Sequence, residues 1–385
     1  MGKIAVFKGY VALFIFAVFV TKVYAANSQE ANNKKDLDTI KVAVLLAKTG
    51  EYAISSDSQY EVVRLAVKEI NQKGGVLGKK IELIEIDTQS SALGARFAAK
   101  KILKMKPTAV IGPGFSSTAL GAAPILQKAK IPTIATWATN PNVTLVGDYI
   151  FRVCFVDQFQ GTVMASFALK DLKAKTAVVL TNTGNKYSAG LADFFMKSFE
   201  ESGGKVLWER GYASSAVDYK AQLLKTKQLN PDVVYVPGYE RDSAHIMKQA
   251  KKMGITSTFL GGDGWEITMY KFGGDAIDDS YFSSHWHRDD TREISQNYVM
   301  RFEKEYGKAD IFALSYDAVN VLADAIKRAK STDSQKIQQA LANTKNFPGI
   351  TGNITFDENG DPVDKAAVIL KFKNREIEYV KTIIP

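Results

Sequence analysis

The sequence is poor in the residues that most often perform chemistry, with one cysteine and three histidines among 385 residues. A lone cysteine cannot form a disulfide within the chain. Cys154 stands in an apolar run, which predicts a buried, unreactive thiol rather than a nucleophile. His285 and His287 have Asp289 and Asp290 nearby, but no spacing supplies the three or four ligands of a zinc site. We expect no metal, and we predict a partly exposed polar patch at these histidines.

Several catalytic and nucleotide-binding motifs are missing. The chain has no phosphate-binding loop of the form Gly-x-x-x-x-Gly-Lys-[Ser/Thr] and no Gly-x-Ser-x-Gly nucleophile elbow. Gly112-Pro-Gly114 is followed by Phe-Ser-Ser, so the third glycine of a dinucleotide fingerprint is absent. We therefore expect no cofactor and no catalytic activity, and a secreted hydrolase is the enzymatic alternative.

Long apolar runs are absent except at the N-terminus. Lys3 and Lys8 precede an apolar run from Gly9 to Val20, and small residues lead up to Ala25. This run is shorter than the roughly 20 residues that span a bilayer. The pattern predicts a signal peptide at 1–25, cleaved after Ala25, and a flexible leader at 26–38. No cysteine lies near the cleavage point, so we expect an exported protein without a lipid anchor.

The balance of charge is basic but does not indicate nucleic acid. The formal net charge is +9, and it falls to +6 when Lys3, Lys8 and Lys22 leave with the signal peptide. The remaining basic residues are scattered beside acidic ones, as in Lys68-Glu69, and form no cluster with aromatic residues. Solvated helix surfaces explain this charge, and no nucleic-acid partner is expected.

Apolar strand-like and helix-like segments alternate along most of the chain. Ile40 to Leu46 is a continuous apolar run, typical of a strand buried on both faces. Ser56 to Gln59 resembles a capping box that would begin the next helix. The alternation restarts near residue 176, so it predicts an α/β fold with two doubly wound Rossmann-like lobes joined by a multi-strand hinge. The expected lobes are 39–155 plus 286–348, and 156–285 plus 349–385.

Two polar loops of the first lobe follow predicted strands. Ser116 and Ser117 stand between a glycine-containing loop and a helix, where hydroxyls and a helix N-terminus suit an anion such as a carboxylate. After the next strand, Thr139 offers a hydroxyl, and Trp137 and Ala138 offer backbone groups. The residues alone leave a helix cap and a proline-containing turn open as alternatives.

Two loops of the second lobe have the opposite character. Tyr239 combines an apolar wall with a hydrogen-bonding tip. Asp263, fixed among glycines beside Trp265, suits a ligand ammonium, although an aspartate in a tight turn is the alternative. Ligands of doubly wound sheets bind at the carboxyl ends of strands. Hydroxyls in one lobe and an acid in the other therefore predict a zwitterionic amino acid as ligand.

A series of segments, in order along the chain, resembles a known family. The chain is similar to the type I periplasmic solute-binding proteins of the branched-chain amino acid (leucine/isoleucine/valine) ABC transporter family. The segments that show this are Ile70 to Gly78, Ile111 to Thr118, Pro132 to Pro141, Phe151 to Gly161, Gly261 to Trp265 and Thr351 to Gly360. The resemblance implies the periplasmic binding protein type I fold and a location in the periplasm.

The resemblance also implies roles for the polar loops. Ser116 and Thr139 are expected to hold the ligand carboxylate together with the backbone of Trp137. Asp263 is expected to bind the ammonium.

Four further residues line the cleft on this basis. Tyr187 and Tyr239 are expected at its mouth or wall, and Ser55 and Tyr52 where relatives contact the ligand side chain. Ser55 aligns with a bulky aromatic residue in leucine-binding members, so a larger or more polar side-chain pocket is expected.

The implied function is capture of a small amino acid by a monomer and its delivery to an inner-membrane ABC permease. Two alternatives stay open from the sequence. The ligand could be an aromatic acid, an amide or a urea derivative, or the protein could be a sensing subunit for a membrane receptor.

Overall fold

The computed structural model describes residues 39–214, 216–308 and 312–385. The predicted signal peptide and leader lie outside the described residues. Within those residues, no helix combines the length and the apolar character that crossing a membrane requires.

The first sheet is parallel throughout and has the order β2-β1-β3-β4-β5. Its longest parallel pairing joins β1 to β2, from Thr39 opposite Lys80 to Leu46 opposite Asp87. All residues of β3, β4 and β5 are buried, as the continuous apolar runs predict for a sheet covered on both faces. The strand bounds are β1 Thr39–Leu46, β2 Lys80–Asp87, β3 Ala109–Ile111, β4 Thr133–Ala135 and β5 Ile150–Arg152.

The second sheet is larger and mixed, with the order β14-β13-β10-β9-β8-β6-β7. Five of its strands are parallel, and β13 and β14 are antiparallel at one edge. A separate two-stranded ribbon joins β11 and β12. The bounds are β6 Thr176–Asn182, β7 Lys205–Tyr212, β8 Val233–Tyr235, β9 Thr258–Gly261, β10 Tyr281–Ser284, β11 Phe347–Gly349, β12 Gly352–Ile354, β13 Ala367–Lys373 and β14 Glu376–Ile383.

Helices cover both sheets and connect their parallel strands. Their bounds are α1 Ala53–Gln72, α2 Ala92–Met105, α3 Ser116–Lys128, α4 Asp157–Lys170, α5 Lys186–Glu201, α6 Lys220–Leu229, α7 Glu240–Lys252, α8 Met269–Gly273, α9 Glu293–Tyr306, α10 Leu314–Ala329 and α11 Ser334–Ala342. Short 3₁₀ helices lie at Pro141–Val146 and Gly274–Ala276.

Over the described residues, the chain passes between the two sheets three times, after β5, after β10 and after α11. The late helix α10 returns to pack against α1, β3 and β4, whereas β13 joins β10 of the second sheet. Two mostly parallel α/β sheets linked by several crossings confirm the predicted fold class. The residue boundaries assigned above to the two lobes stay a prediction.

The predicted capping box at Ser56 to Gln59 is wrong. The helix begins earlier, at Ala53, because Gly50 adopts a left-handed conformation and its carbonyl accepts a hydrogen bond from the Ala53 amide at 3.3 Å. The Tyr52 amide is anchored to Ser90 Oγ at 3.0 Å. Gln59 is therefore an interior residue of α1, and its side chain is buried.

The apolar run around Cys154 contains one charged residue, Arg152, whose importance the alternation of strands and helices does not reveal. Cys154 is buried, as predicted, and burial raises the pKa of its thiol. Arg152 in the same run is also fully buried and ends β5. It lies beside the polar loop that follows β4.

Candidate functional site

The nine predicted site residues lie where the carboxyl ends of the two sheets meet. Trp137 Nε1 of the first lobe donates a hydrogen bond to the Asp263 carbonyl of the second at 3.1 Å. The Tyr52 and Tyr239 rings lie 4.7 Å apart, centroid to centroid, across the same boundary. The structure thus brings the loops of both lobes into contact, with the cleft closed.

On the first lobe, two hydroxyls lie beside a helix N-terminus. Ser116 is the first residue of α3, and its Oγ accepts a hydrogen bond from the Asn140 amide at 3.2 Å. The Thr139 hydroxyl is fully buried and has no hydrogen-bond partner of ordinary geometry within the described residues. A buried, unpaired hydroxyl is costly, so this group is suited to a ligand.

The loop with Thr139 is fixed from behind by Arg152. The guanidinium donates to the Ala138 carbonyl at 2.8 Å and to the Asn140 carbonyl at 2.9 Å. It also pairs with Asp361 at 2.5 Å. The Ala138 carbonyl is therefore turned towards Arg152, and the buried guanidinium holds both sides of Thr139 in place.

On the second lobe, Asp263 is buried and held by two side chains that the sequence interpretation missed. Gln160 Nε2 donates to Asp263 Oδ1 at 2.8 Å, and His285 Nε2 lies 3.0 Å from Oδ2. Each carboxylate oxygen has two lone pairs, so both can accept one further hydrogen bond. Asp263 is thus oriented and still able to bind an ammonium.

A second buried carboxylate, Asp157, lies beside this one. It is the first residue of α4, is 0% exposed, and neither oxygen has a hydrogen-bond partner of ordinary geometry in the described ranges. Burial, and after it the charge of Asp263, raises the pKa of Asp157 to about 8, while the facing Thr139 hydroxyl and Arg152 oppose the rise. A bound cation would relieve this arrangement.

The glycines around Asp263 are required by close packing. A Cβ atom on Gly262 would lie 2.5 Å from Tyr187 Oη, and one on Gly261 would lie 2.2 Å from the Trp265 ring. Tyr187 Oη also accepts a hydrogen bond from the Gly264 amide at 3.0 Å. Trp265 packs into the second lobe, near Phe282, so it supports the loop rather than facing the cleft.

Aromatic rings fill the space between the polar groups and the cleft mouth. Tyr52 stacks on Phe115 at 4.4 Å between ring centroids, and Tyr187 stacks on Tyr239 at 5.1 Å. Asn185 Nδ2 donates to Tyr52 Oη across the boundary at 3.1 Å. Phe115 and Asn185 were not predicted as site residues, although both flank residues that were.

Ser55 lies at the outer end of these rings. Its hydroxyl donates a hydrogen bond to the Glu240 carboxylate of the opposite lobe, and both side chains are buried. The side-chain pocket is therefore more polar at this end than Ser55 alone predicts, because Glu240 lies there as well.

Comparison with known proteins decides the family. A family model described as "Periplasmic binding protein" matches residues 39–376. The chain belongs to the periplasmic binding protein family. The resemblance predicted from the sequence is confirmed.

Its relatives include amino-acid-binding proteins of known name. The leucine-, isoleucine-, valine-, threonine- and alanine-binding protein of Pseudomonas aeruginosa is 31% identical over 359 residues, covering 90% of this chain and 92% of the relative. The leucine binding protein LivK of Thermotoga maritima has a TM-score of 0.86 and 37% identity, covering 90% and 99%. LivJ of Streptococcus pneumoniae, solved with isoleucine, has a TM-score of 0.85 and 29% identity, covering 90% and 100%.

The site of this periplasmic binding protein contains residues that a sequence signal could have revealed. Asp157 and Gln160 are three positions apart at the start of α4, so they share one helix face, and both are buried. Two polar residues on the buried face of a helix indicate a polar site. An acidic residue at a helix start is also an ordinary favourable placement, which hides this signal.

The prediction of a partly exposed polar patch is wrong for His285 and His287 themselves. The two residues are 3% and 6% exposed. His285 contacts Asp263, and His287 Nε2 lies 3.1 Å from the Ile377 carbonyl while its Nδ1 accepts from the Asp289 amide at 3.3 Å. In the described part of the chain, no group of three or more potential metal ligands converges.

Proposed function

We propose that this protein captures an amino acid in the closed cleft through both of its charged ends. Ser116, Thr139 and the N-terminus of α3 would bind the carboxylate, with the backbone at Trp137. Asp157 and Asp263 would bind the ammonium. The observation that supports this most directly is the pair of buried carboxyl groups, Asp157 and Asp263, at one end of the cleft, because a bound ammonium would stabilise the ionised form of Asp157.

The aromatic residues would complete the cavity around the ligand. Tyr187 and Tyr239 would cover the ammonium end, and Tyr52 and Ser55 would face the side chain. Closure removes water from both charged ends of the ligand, so each needs a fixed partner. The oriented carboxylate of Asp263 would be the fixed partner of the ligand ammonium. The loop at Thr139, which Arg152 holds in place, would be the fixed partner of the ligand carboxylate.

We further propose export and transport roles for the chain. Cleavage after Ala25 would release a monomer into the periplasm, where it would deliver its ligand to an inner-membrane ABC permease. The family and the names of the relatives support this role. The mass of the exported protein and its size-exclusion volume would test cleavage and monomeric state.

Matched ligands provide a test of the zwitterion assignment. We expect an amino acid to raise the unfolding temperature of the mature protein, whereas its deaminated acid and its carboxamide do not. At a thousand times its dissociation constant, a ligand stabilises the protein by about 4 kcal/mol. Stabilisation by benzoate or urea derivatives but by none of the common amino acids would refute the proposal, because such ligands carry no cationic group for Asp157 and Asp263 to bind.

A further inference from the structure

The cleft ends in an acidic region beyond Tyr52 and Tyr239. Glu240 and Asp242 lie in the first turn of α7, and they are 5% and 3% exposed. Glu51 lies at the rim of the opposite lobe, and its negative charge raises the pKa of both carboxylates. Three acids from two lobes therefore converge at one end of the proposed amino-acid site.

Within the described residues, the buried acids Glu240 and Asp242 have no buried counter-ion of their own. Glu240 accepts a hydrogen bond from Ser55, and Asp242 Oδ2 accepts one from Asn182 Nδ2 at 2.8 Å. Both partners are neutral. The cation that acts on Asp242 is Arg241, whose side chain is exposed.

Burial and mutual repulsion make the ionised forms of these acids unfavourable. Burial is the main reason that the pKa values of Glu240 and Asp242 are raised to about 7, and the charge of Glu51 adds to both shifts. A ligand that brought a positive charge would stabilise the ionised forms. An aliphatic side chain would leave them buried without a counter-charge.

Two further features of this region suit a cation. The Tyr212 hydroxyl is buried and close enough to Asp242, Glu51 and Tyr52 for their charges to raise its pKa, and it has no hydrogen-bond partner within the described residues. The faces of Tyr52 and Tyr239 can attract a positive charge.

We propose that Glu240 and Asp242 receive a positively charged ligand side chain, so that the preferred ligand is a basic amino acid such as lysine or arginine. The inference rests on the proposed amino-acid capture and specifies its side-chain class. The ligand carboxylate and α-ammonium occupy the inner groups, and the distal cation reaches the Glu240 and Asp242 carboxylates at the start of α7. This differs from the ligands that the names of the relatives state, whose side chains are all uncharged.

Lysine and norleucine form a matched ligand pair, because they share a four-carbon chain and differ by the terminal ammonium. We expect calorimetric titration of the mature protein at pH 7.5 to give lysine at least about tenfold tighter binding than norleucine. In the double variant Glu240→Gln/Asp242→Asn, lysine should lose that advantage while norleucine binds at least as well as before. Norleucine binding thus shows that the variant is folded.

Glu200→Gln is the control, since Glu200 is exposed on α5 of the same lobe. It should keep the preference for lysine. Tighter binding of norleucine than lysine by the parent protein would overturn the inference and leave amino-acid capture standing. Failure of every α-amino acid to bind would overturn the proposed function itself. A lysine preference that survives the double variant would show that Glu240 and Asp242 are not its cause.

Discussion

His285 Nε2 lies 3.0 Å from Asp263 Oδ2, and both side chains are buried. Burial lowers the pKa of His285, which favours the neutral ring near neutral pH. A neutral ring can donate from Nε2 while Nδ1, which has no hydrogen-bond partner in the described ranges, stays unprotonated. The histidine thus orients the carboxylate without cancelling its negative charge, and Asp263 stays available to a ligand cation.

Replacing Asp263 tests the ammonium site. We expect Asp263→Asn to weaken amino-acid binding by about 2–5 kcal/mol, because the ligand ammonium loses a buried charged partner. The amide oxygen can still accept from Gln160 or His285, so the unfolding temperature should change little. Calorimetric titration and thermal unfolding measure the two effects. Asp193→Asn, on the exposed face of α5, is the matched control, and equal affinities for both variants would show that the assignment is wrong.

A pair of substitutions at His285 separates orientation of Asp263 from filling of space. His285→Gln keeps a donor near Asp263 Oδ2 and should retain affinity within about threefold of the parent. His285→Leu removes the donor, and the loss of a hydrogen bond to a charged group predicts weaker binding by about 1.5–3 kcal/mol. Titration with the same amino acid checks both variants. If the leucine variant bound as tightly as the glutamine variant, the hydrogen bond would have no orienting role.

Much of the fold was predictable because its signals are local. The continuous apolar runs of β1, β3 and β8 indicate strands buried on both faces, and the structure confirms them. The start of α1 was mispredicted because Ser56 to Gln59 has the pattern of a cap. The turn at Gly50 and the Tyr52 contact with Ser90 depend on a loop 38 residues away along the chain, which the pattern does not contain.

The site residues were predictable only where the surrounding loop has a recognisable sequence pattern. Asp263 stands among glycines, and Ser116 and Thr139 follow strands, so each has a sequence signal. His285 and Glu240 have none, because their importance arises from contacts with residues 22 and 185 positions away. Their roles follow from the packing of the two lobes against each other.

The raised pKa of Asp157 predicts that ligand binding releases a proton. Its pKa of about 8 means that the empty site holds a proton on this carboxyl at pH 7, with burial as the main cause and the charge of Asp263 as the next. A bound ammonium favours the ionised carboxylate, so ligand binding should expel that proton. Affinity should therefore rise with pH from 6 to 8, by up to about tenfold per unit, and then level off.

Titrations at pH 7 in two buffers of different ionisation enthalpy measure the released protons. The parent protein should show a difference in observed enthalpy, and Asp157→Asn should abolish that difference as well as the rise in affinity with pH. Asp193→Asn should behave like the parent. Identical enthalpies in both buffers for the parent would mean that Asp157 does not exchange a proton with the ligand.

The hydrogen bonds of Arg152 predict a link between the stability of the first lobe and ligand affinity. Its guanidinium also donates to the Pro141 carbonyl at 3.1 Å and to Thr144 Oγ1 at 2.8 Å, in addition to Asp361 and the two carbonyls that flank Thr139. A lysine ammonium has three donors and lacks the planar fork, so it cannot satisfy all of these acceptors. Arg152→Lys should therefore destabilise the protein by about 2 kcal/mol or more, since buried acceptors of a charged donor are left unpaired.

The same substitution should weaken amino-acid binding by about tenfold, because the loop that presents the Thr139 hydroxyl loses its support. Thermal unfolding without ligand and titration with ligand measure the two consequences separately. Arg210→Lys, at an exposed position of β7, controls for the change of side chain and should affect neither quantity. A variant that is destabilised but binds with the affinity of the parent would show that Arg152 supports the fold alone. Both effects together would show that the buried guanidinium also positions the carboxylate-binding loop.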